Sequence, residues 1–529
     1  MHNPASGVRV GLQLAYWPGT FLHSAGVRLL PPGEIQEANI ATASSTNQRP
    51  RRSTWLTYVA WIVVCIVLAS GVVAALHRGL QNRPDWDDLR TESAYVWQHG
   101  HTAPGTAMFG YLPATTFVLW PFTAWLPQPL GLSFFVASNL LAAIASVWIV
   151  RRWWMGLGGH AAWFVWPVLL VCANFQHALQ ANQLTLWTLL LCVAGLALVG
   201  RRRGFLGGSL VGLAAVIKIM PGILVLYLIL RRRWRALGGV LVAGVVFDLV
   251  PSVVFFGWHG ALQEHQAWLR RAAWHSNRQL IEQPLLRVHR HGTNSSLAGV
   301  LTRWLRALPA ADRQVILYGD PPADVVARYQ AALAPDECLT LDPMPPRDGT
   351  WSEKRVDIAW VPRFHVANLP ASTVWWIWLN LIALGLAALL AVTCWSSGTA
   401  GWAPLSALWM LAMFWPSPMT RHYYLAWAFP ALVIVWRALV AELERRNQRW
   451  SWTTRLAALA LATWLLSVAS LGSKLLGWYG VHLAVLAFLT IATLWACLRA
   501  SDHALAGDPD ASGGGGPLDQ VRDRFVDGA

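Results

Sequence analysis

The chain has 529 residues, of which 55% are apolar and only 13% charged, about half the charged share of ordinary soluble domains. So few charges cannot cover a water-soluble surface, which excludes an ordinary soluble enzyme. Lys and Arg outnumber Asp and Glu 41 to 26, yet the basic residues sit in short runs between long apolar stretches, a pattern of repeated membrane crossing rather than of nucleic-acid binding.

Neither a Walker phosphate loop, a zinc-protease helix motif nor a dinucleotide fingerprint is present, so nucleotide-driven chemistry has no seat. All the cysteines except Cys338 lie in apolar runs, and no disulfide framework can be read from them.

In chain order, residues 1–54 are rich in Ser, Pro, Asn and Gly and are expected to form a disordered cytoplasmic N-terminus. Their one apolar stretch is broken by Pro18 and Gly19, too short to span and a poor signal peptide. The first span is expected over 55–76, directly after Arg49, Arg51 and Arg52. Further apolar runs cover 132–150, 161–175, 184–199, 236–256, 374–394, 402–415, 423–440, 456–471 and 481–498. Arg runs at 151–152, 201–203, 231–235 and 445–449 mark their inner ends, which puts both termini in the cytoplasm.

The stretch 205–230 has Arg triplets at both ends and Met220, Pro221 and Gly222 in its middle. It must enter and return, as a re-entrant hairpin or as two short spans, and such a break is tolerated only where protein or a water-filled cavity satisfies the freed backbone. The expected fold is therefore an all-α polytopic membrane protein of about ten to twelve transmembrane helices with two long outer loops. Residues 55–257 form an N-terminal membrane module containing the first outer loop, 77–110. Residues 258–372 form a large extracytoplasmic loop with a small folded insert around 308–365, 373–500 the C-terminal helices, and 501–529 a disordered cytoplasmic tail. Residues 111–126, punctuated by proline, read as an interfacial helix.

Polar chemistry gathers at the outer ends. Asp85, Asp87, Asp88 and Glu92 follow the first span closely. They are either a solvated face or the seat of a general base at the bilayer surface. The Asp85-Trp86-Asp87 triplet would also suit a divalent cation on a phosphate. Asn174, Gln176, His177, Gln180, Asn182 and Gln183 crowd one helix junction, where amides either cap helix ends or bind sugar hydroxyls. Asn294 or Ser295 suits a helix cap before an amphipathic stretch. Arg421 is out of place on an outer surface unless it meets an acid of an outer loop or an anion such as a lipid phosphate. Inside the apolar runs Lys218 and Asp248 each need a partner or a cavity, since an ionisable group at a helix centre costs about 2.5–3.5 kcal/mol on insertion scales; they pair with one another, or Lys218 reaches an anionic lipid group.

Taken together, Asp85-Trp86, Trp97 to Gly100, Gly110-Tyr111-Leu112-Pro113, Asn174 to Gln183, Ile217-Lys218-Ile219-Met220-Pro221, Arg231 to Arg235, Asn294 to Arg303 and Thr420 to Pro430 resemble glycosyltransferase family 87, the polyprenyl-phosphate-mannose-dependent membrane enzymes of GT-C type. The resemblance implies a GT-C-like helix bundle. It also implies a mannosyltransferase-like hexosyltransferase that uses a polyprenyl-phosphate sugar donor and a lipid or glycan acceptor, needs no cofactor or metal site, binds no nucleic acid and sits among the lipids of the cell inner membrane. The family's catalytic Asp maps onto Asp85, with Asp87 and Asp88 as neighbours, although the tyrosine pair that usually follows it is absent. Its late His maps onto His422. The expected donor-phosphate site is Arg421, His422 and Lys218, and the expected substrate contacts are Tyr111, Asn174, Gln180, Asn182, Gln183 and Asn294. A transporter or flippase for a lipid-linked or small anionic substrate, with its site at the break near Pro221, is the alternative.

Overall fold

The computed structural model describes residues 52–81, 86–101, 111–155, 162–269, 281, 296–306, 313–318, 322–333, 337–342, 356–360, 365–395, 401–417, 420–445, 452–469 and 481–505. The chain divides into two compact units, 1–55 and 56–529. Of the first, only the start of one helix is described, and the second carries everything below. Of the expected disordered N-terminal segment 1–54 and tail 501–529, residues 52–54 and 501–505 are helical instead, continuing the apolar helices beside them, and the rest fall outside the described residues.

Long apolar runs without breakers become helices. Among the described residues, Trp55–Leu80, Gln128–Trp154, Ala162–Gln180, Trp234–Trp268, Ala371–Trp395, His422–Glu442 and Val481–Leu498 are long and apolar enough to cross a membrane, and four shorter apolar helices accompany them. Their outward sides carry large apolar groups: Tyr58, Ile62, Ile66 and Val73 along α1 (Arg52–Leu80), and Trp376, Leu384 and Trp395 along Ala371–Trp395, are exposed. Soluble monomers do not leave stripes of this size open to water, and a lipid surround removes the cost. The chain is a multi-pass membrane protein.

After α1 come α2 (Trp86–His99), α3 (Thr115–Thr123), α4 (Gln128–Ile149), α5 (Val165–Gln180) and α6 (Thr185–Gly200). The interfacial helix expected over 111–126 is confined to α3, because Pro113 precedes it and Pro127 opens the next helix. Its Phe117 and Trp120 pack on Phe255 at ring-centroid distances of 5.6 and 4.9 Å. Helix α6 is apolar all round, with most of its residues buried and none exposed, as a central pillar must be. It packs between α4 and α7 (Gly204–Ile217).

Glycines let α7 lie close to the helix Trp234–Gly244. A methyl group on Gly208 would overlap the Ala236 carbonyl, and one on Gly239 the Phe205 carbonyl. Backbone lies against backbone here, so Gly208→Val is expected to cost at least the 1–3 kcal/mol typical of overpacking, about, and to lower both folded yield and thermal midpoint in detergent. An unchanged midpoint would show that the two helices separate freely.

The stretch 205–230 is broken as its sequence demands. Helix α7 ends at Ile217, Lys218 is extended (φ −142°, ψ 127°), Met220–Ile223 makes a 3-10 turn and Leu224–Leu230 resumes the helix. The two Arg triplets adopt the same turn: Arg202 and Arg232 are left-handed (φ 63° and 50°), and the amides of Arg203 and Arg233 reach back to the carbonyls of Leu198 and Leu228, 2.9 Å each. This is the usual closure of a helix C-terminus, here made without glycine.

The expected Lys218–Asp248 pair is not formed. Asp248 lies in a π-helical turn, Val245–Leu249, and its partner is His265, whose Nε2 is 3.1 Å from each carboxylate oxygen. In a straight helix residues this far apart would be about 25 Å apart. Gly257 (φ 70°), inside Val250–Trp268, bends the chain back and brings them together.

The long loop adds what an all-helical expectation lacks, a small mixed sheet. Strand β1 (Arg313–Tyr318) pairs parallel with β2 (Glu337–Asp342), joined through the helix Ala323–Ala331, and antiparallel with β3 (Val356–Trp360), in the order β2-β1-β3. Before it, the amphipathic helix Leu297–Leu305 is capped by Ser296, whose Oγ accepts from the Gly299 amide at 3.1 Å. The cap thus falls later than Asn294 or Ser295, both outside the described residues. Arg303 on this helix is fully buried, and burial pushes its guanidinium down to about 9, still cationic at neutral pH.

Candidate active site

Lys218 is the only lysine among the described residues, and it is buried. The break after Ile217 turns its backbone out of the helix, and α3 holds that break: Thr115 Oγ1 donates to the carbonyls of Val216 and Ile217 at 3.3 Å each. Its Nζ donates to Thr185 Oγ1 at 3.1 Å and to Gln183 Oε1 at 3.5 Å. The hydroxyl of Tyr111 donates to the same Gln183 oxygen. Aromatic faces complete the enclosure, with Tyr424 at 4.2 Å from Nζ, Tyr111 at 5.4 Å, and Tyr423 and Trp427 at 5.7 Å. Such contacts stabilise a desolvated ammonium by about 2 kcal/mol or more.

Tyr423, Tyr424 and Trp427 belong to the 3-10 helix His422–Ala428, which opens the helix Phe429–Arg445. Trp427 Nε1 donates to the Thr185 carbonyl (3.0 Å) and to Thr188 Oγ1 (3.1 Å), which pins this short helix to α6. Asn174 Nδ2 donates to the His422 carbonyl at 3.1 Å. The rings of His177 and His422 have centroids 6.2 Å apart, and His422 Nδ1 is hydrogen-bonded to Nε2 of His482, from the helix Val481–Leu505. Arg421, half-buried, precedes the short helix and its carbonyl accepts from the Tyr424 amide at 2.9 Å.

The start of α6, at Leu184, shows no side-chain cap. The amides between α5 and α6 join separate elements. Asn182, left-handed at φ 49°, donates from Nδ2 to the Ala75 carbonyl of α1 at 3.2 Å. The side-chain oxygens of Asn174 and Asn182 are buried and accept no hydrogen bond among the described residues. Gln180, at the end of α5, is half-buried.

Of the sequence candidates, then, Tyr111, Gln183 and Lys218 converge directly. Asn174 and His422 are tied to one another, and Asn182 ties the junction to α1. Asp85 and Asn294 lie outside the described residues. Asp87 and Asp88 lie in the first turn of α2, and nothing is described of their side chains. Trp86, between the acids, is fully buried against Phe135 (5.1 Å) in a cluster with Ala75, Tyr111, Leu184 and Ile217. Trp86 therefore packs beside Leu184 and Ile217, the sequence neighbours of Gln183 and Lys218. No group of three or more metal-ligating side chains occurs among the described residues.

Sequence reading missed Thr185, Trp427 and His482. Tyr423 and Tyr424 were visible next to His422, but a single threonine inside an apolar helix and a histidine far along the chain carry no local signal.

Comparison with known proteins bears on this same segment. Residues 109–331 match Glycosyltransferase family 87, a stretch containing Tyr111, the amide junction and Lys218 but not Asp85, Arg421 or His422. The polyprenol-phosphate-mannose-dependent alpha-(1-2)-phosphatidylinositol mannoside mannosyltransferase of Mycolicibacterium smegmatis is 28% identical over 233 residues, 39% of this chain and 52% of that protein. The alpha-(1->3)-arabinofuranosyltransferase of Corynebacterium glutamicum is 25% identical over 227 residues, 38% of this chain and 50% of that protein. The chain thus spans about half the length of the curated relatives it matches. A crystal structure of ArnT from Cupriavidus metallidurans bound to undecaprenyl phosphate aligns over 83% of this chain and 78% of its own at 16% identity, with a TM-score of only 0.30. This is a multi-pass helical membrane protein whose residues 109–331 match Glycosyltransferase family 87.

Proposed function

We propose that the protein transfers a hexose, mannose, from a polyprenyl-phosphate donor to a hydroxyl of a lipid or glycan acceptor, with inversion, at the outer face of the cell inner membrane. The observation that carries this reading is the buried Lys218 ammonium, held by Thr185, Gln183 and Tyr424 at the meeting point of segments far apart in sequence. Supporting it, the mycobacterial relative is named for a polyprenol-phosphate-mannose donor.

In the reaction, the acceptor oxygen attacks the anomeric carbon as the bond from that carbon to the phosphate oxygen breaks, and the bonding pair leaves with the phosphate. Asp85, or Asp87 or Asp88 beside it, takes the acceptor proton. A phosphate is already a competent leaving group, so one carboxylate suffices where a typical glycosidase needs two. Positive charge and hydrogen-bond donors at the phosphate, from Lys218, Arg421 and His422, stabilise the departing anion. The buried side-chain oxygens of Asn174 and Asn182 suit sugar hydroxyls, and Gln180 and Asn294 are further substrate contacts in this reading. No divalent cation is required.

The test is transfer by purified protein in liposomes from labelled polyprenyl-phosphate mannose to membrane acceptors. Transfer from a polyprenyl-phosphate pentose alone would correct the sugar, a real alternative given the arabinofuranosyl relative. Equilibration of the lipid across the bilayer without transfer would favour the transporter reading. Sidedness follows from the Arg runs: both termini are cytoplasmic, and a cysteine introduced at residue 88 or 294 should react with an impermeant reagent in intact cells. Reaction only after permeabilisation would put the site on the other face.

A further inference from the structure

His482 has no place in the reaction above, yet it is fully buried and its Nε2 faces Nδ1 of His422, with ring centroids 4.2 Å apart. We infer that His482 is a positioning residue that fixes the tautomer of His422, so that His422 offers its Nε2–H to the donor phosphate.

A hydrogen bond between two neutral imidazoles holds one proton, so one ring must donate and the other accept. His422 Nδ1 is taken up by His482, which leaves Nε2 as the nitrogen that can serve a substrate. A phosphate oxygen accepts hydrogen bonds, so His422 Nε2 must carry the proton, Nδ1 must be the acceptor, and His482 must donate from Nε2. In the opposite arrangement His422 would present a lone pair to an anion. The partner on the far side of a functional imidazole commonly decides which nitrogen carries the proton. The backbone is fixed as well, because Asn174 holds the His422 carbonyl and Trp427 ties the same short helix to α6. With both backbone and ring held, His422 has little freedom left except to point its Nε2 one way. The final helix Val481–Leu505, outside the segment matched to family 87, thereby supports the candidate site.

This inference rests on the glycosyltransferase reading, but its first test reads the tautomer directly and needs no transfer activity. Nitrogen-15 spectra of histidine-labelled wild-type protein in lipid, with His422 assigned by difference from His422→Gln, should show a non-protonated Nδ1 and a protonated Nε2 at His422. A protonated Nδ1 at His422 overturns the proposal. Kinetically, His482→Met should raise the donor KM about tenfold, the usual weight of one hydrogen bond that is lost or misdirected, with a smaller change in kcat. His482→Gln, which keeps an amide N–H near the position of the lost Nε2–H, should restore most of it. Unchanged donor KM in a folded His482→Met protein overturns the proposal, as does equal loss in the Met and Gln variants. A wild type that transfers no sugar would strike the functional reading instead, and the tautomer would still be read.

Discussion

Replacing Asp85 with Asn should abolish sugar transfer while leaving the protein folded and able to bind donor. Asn keeps the size and much of the hydrogen bonding of Asp but cannot accept a proton, so the change separates base chemistry from packing. General-base contributions are typically about a hundred- to ten-thousand-fold in rate. What the structure describes next to Asp85 in sequence is Trp86. Trp86 is fully buried, and its cluster contains Tyr111, Leu184 and Ile217, the last two adjacent in sequence to Gln183 and Lys218. Asp87→Asn and Asp88→Asn should do less. A silent Asp87 or Asp88 variant beside an active Asp85→Asn would move the base along the segment, and equal losses at Asp85 and Asp87 that depend on added divalent cation would favour a metal-bridged phosphate. Three active variants would remove the main support for the transfer reaction.

The spans were legible because lipid imposes a simple rule, about twenty apolar residues for each long crossing. The break at 218–223 was legible for a related reason, since Pro221 and Gly222 flanked by Arg triplets cannot form one straight helix. What joins what was not. Lys218 and Asp248 are the conspicuous ionisable groups of the apolar runs, and pairing them is the economical expectation. Yet the bend at Gly257, invisible to hydropathy, gives Asp248 to His265 instead. The amide junction stands out in the sequence, but its geometry, a left-handed Asn182 reaching α1 and a Gln183 shared by Tyr111 and Lys218, follows from contacts among segments far apart in sequence. The sheet in the long loop was hidden because its short strands sit among Pro, Asp and Gly, where period-two patterning is weak.

Lys218→Met should reduce donor use more than a hundredfold and leave stability equal or raised. Met has nearly the volume and flexibility of Lys without the charge, so it can occupy the same enclosure of Tyr111, Tyr424 and Trp427. Replacing a buried charge with an apolar isostere is often neutral or stabilising by about 1–4 kcal/mol. If Lys218 served the fold, through its bonds to Thr185 and Gln183, the thermal midpoint should fall instead and activity should follow it. If it serves the phosphate, donor binding should fall while the midpoint holds, and polyprenyl phosphate should lose its power to compete for the site. Lys218→Arg separates charge from shape: the guanidinium keeps the cation but is planar and larger, and an enclosure this tightly lined should reject it, leaving the variant nearly as inactive as Lys218→Met. An Arg variant with near-full activity would mean that the enclosure is looser than these distances imply. A Met variant with near-full activity would assign Lys218 to the architecture and leave Arg421 and His422 as the groups that meet the phosphate.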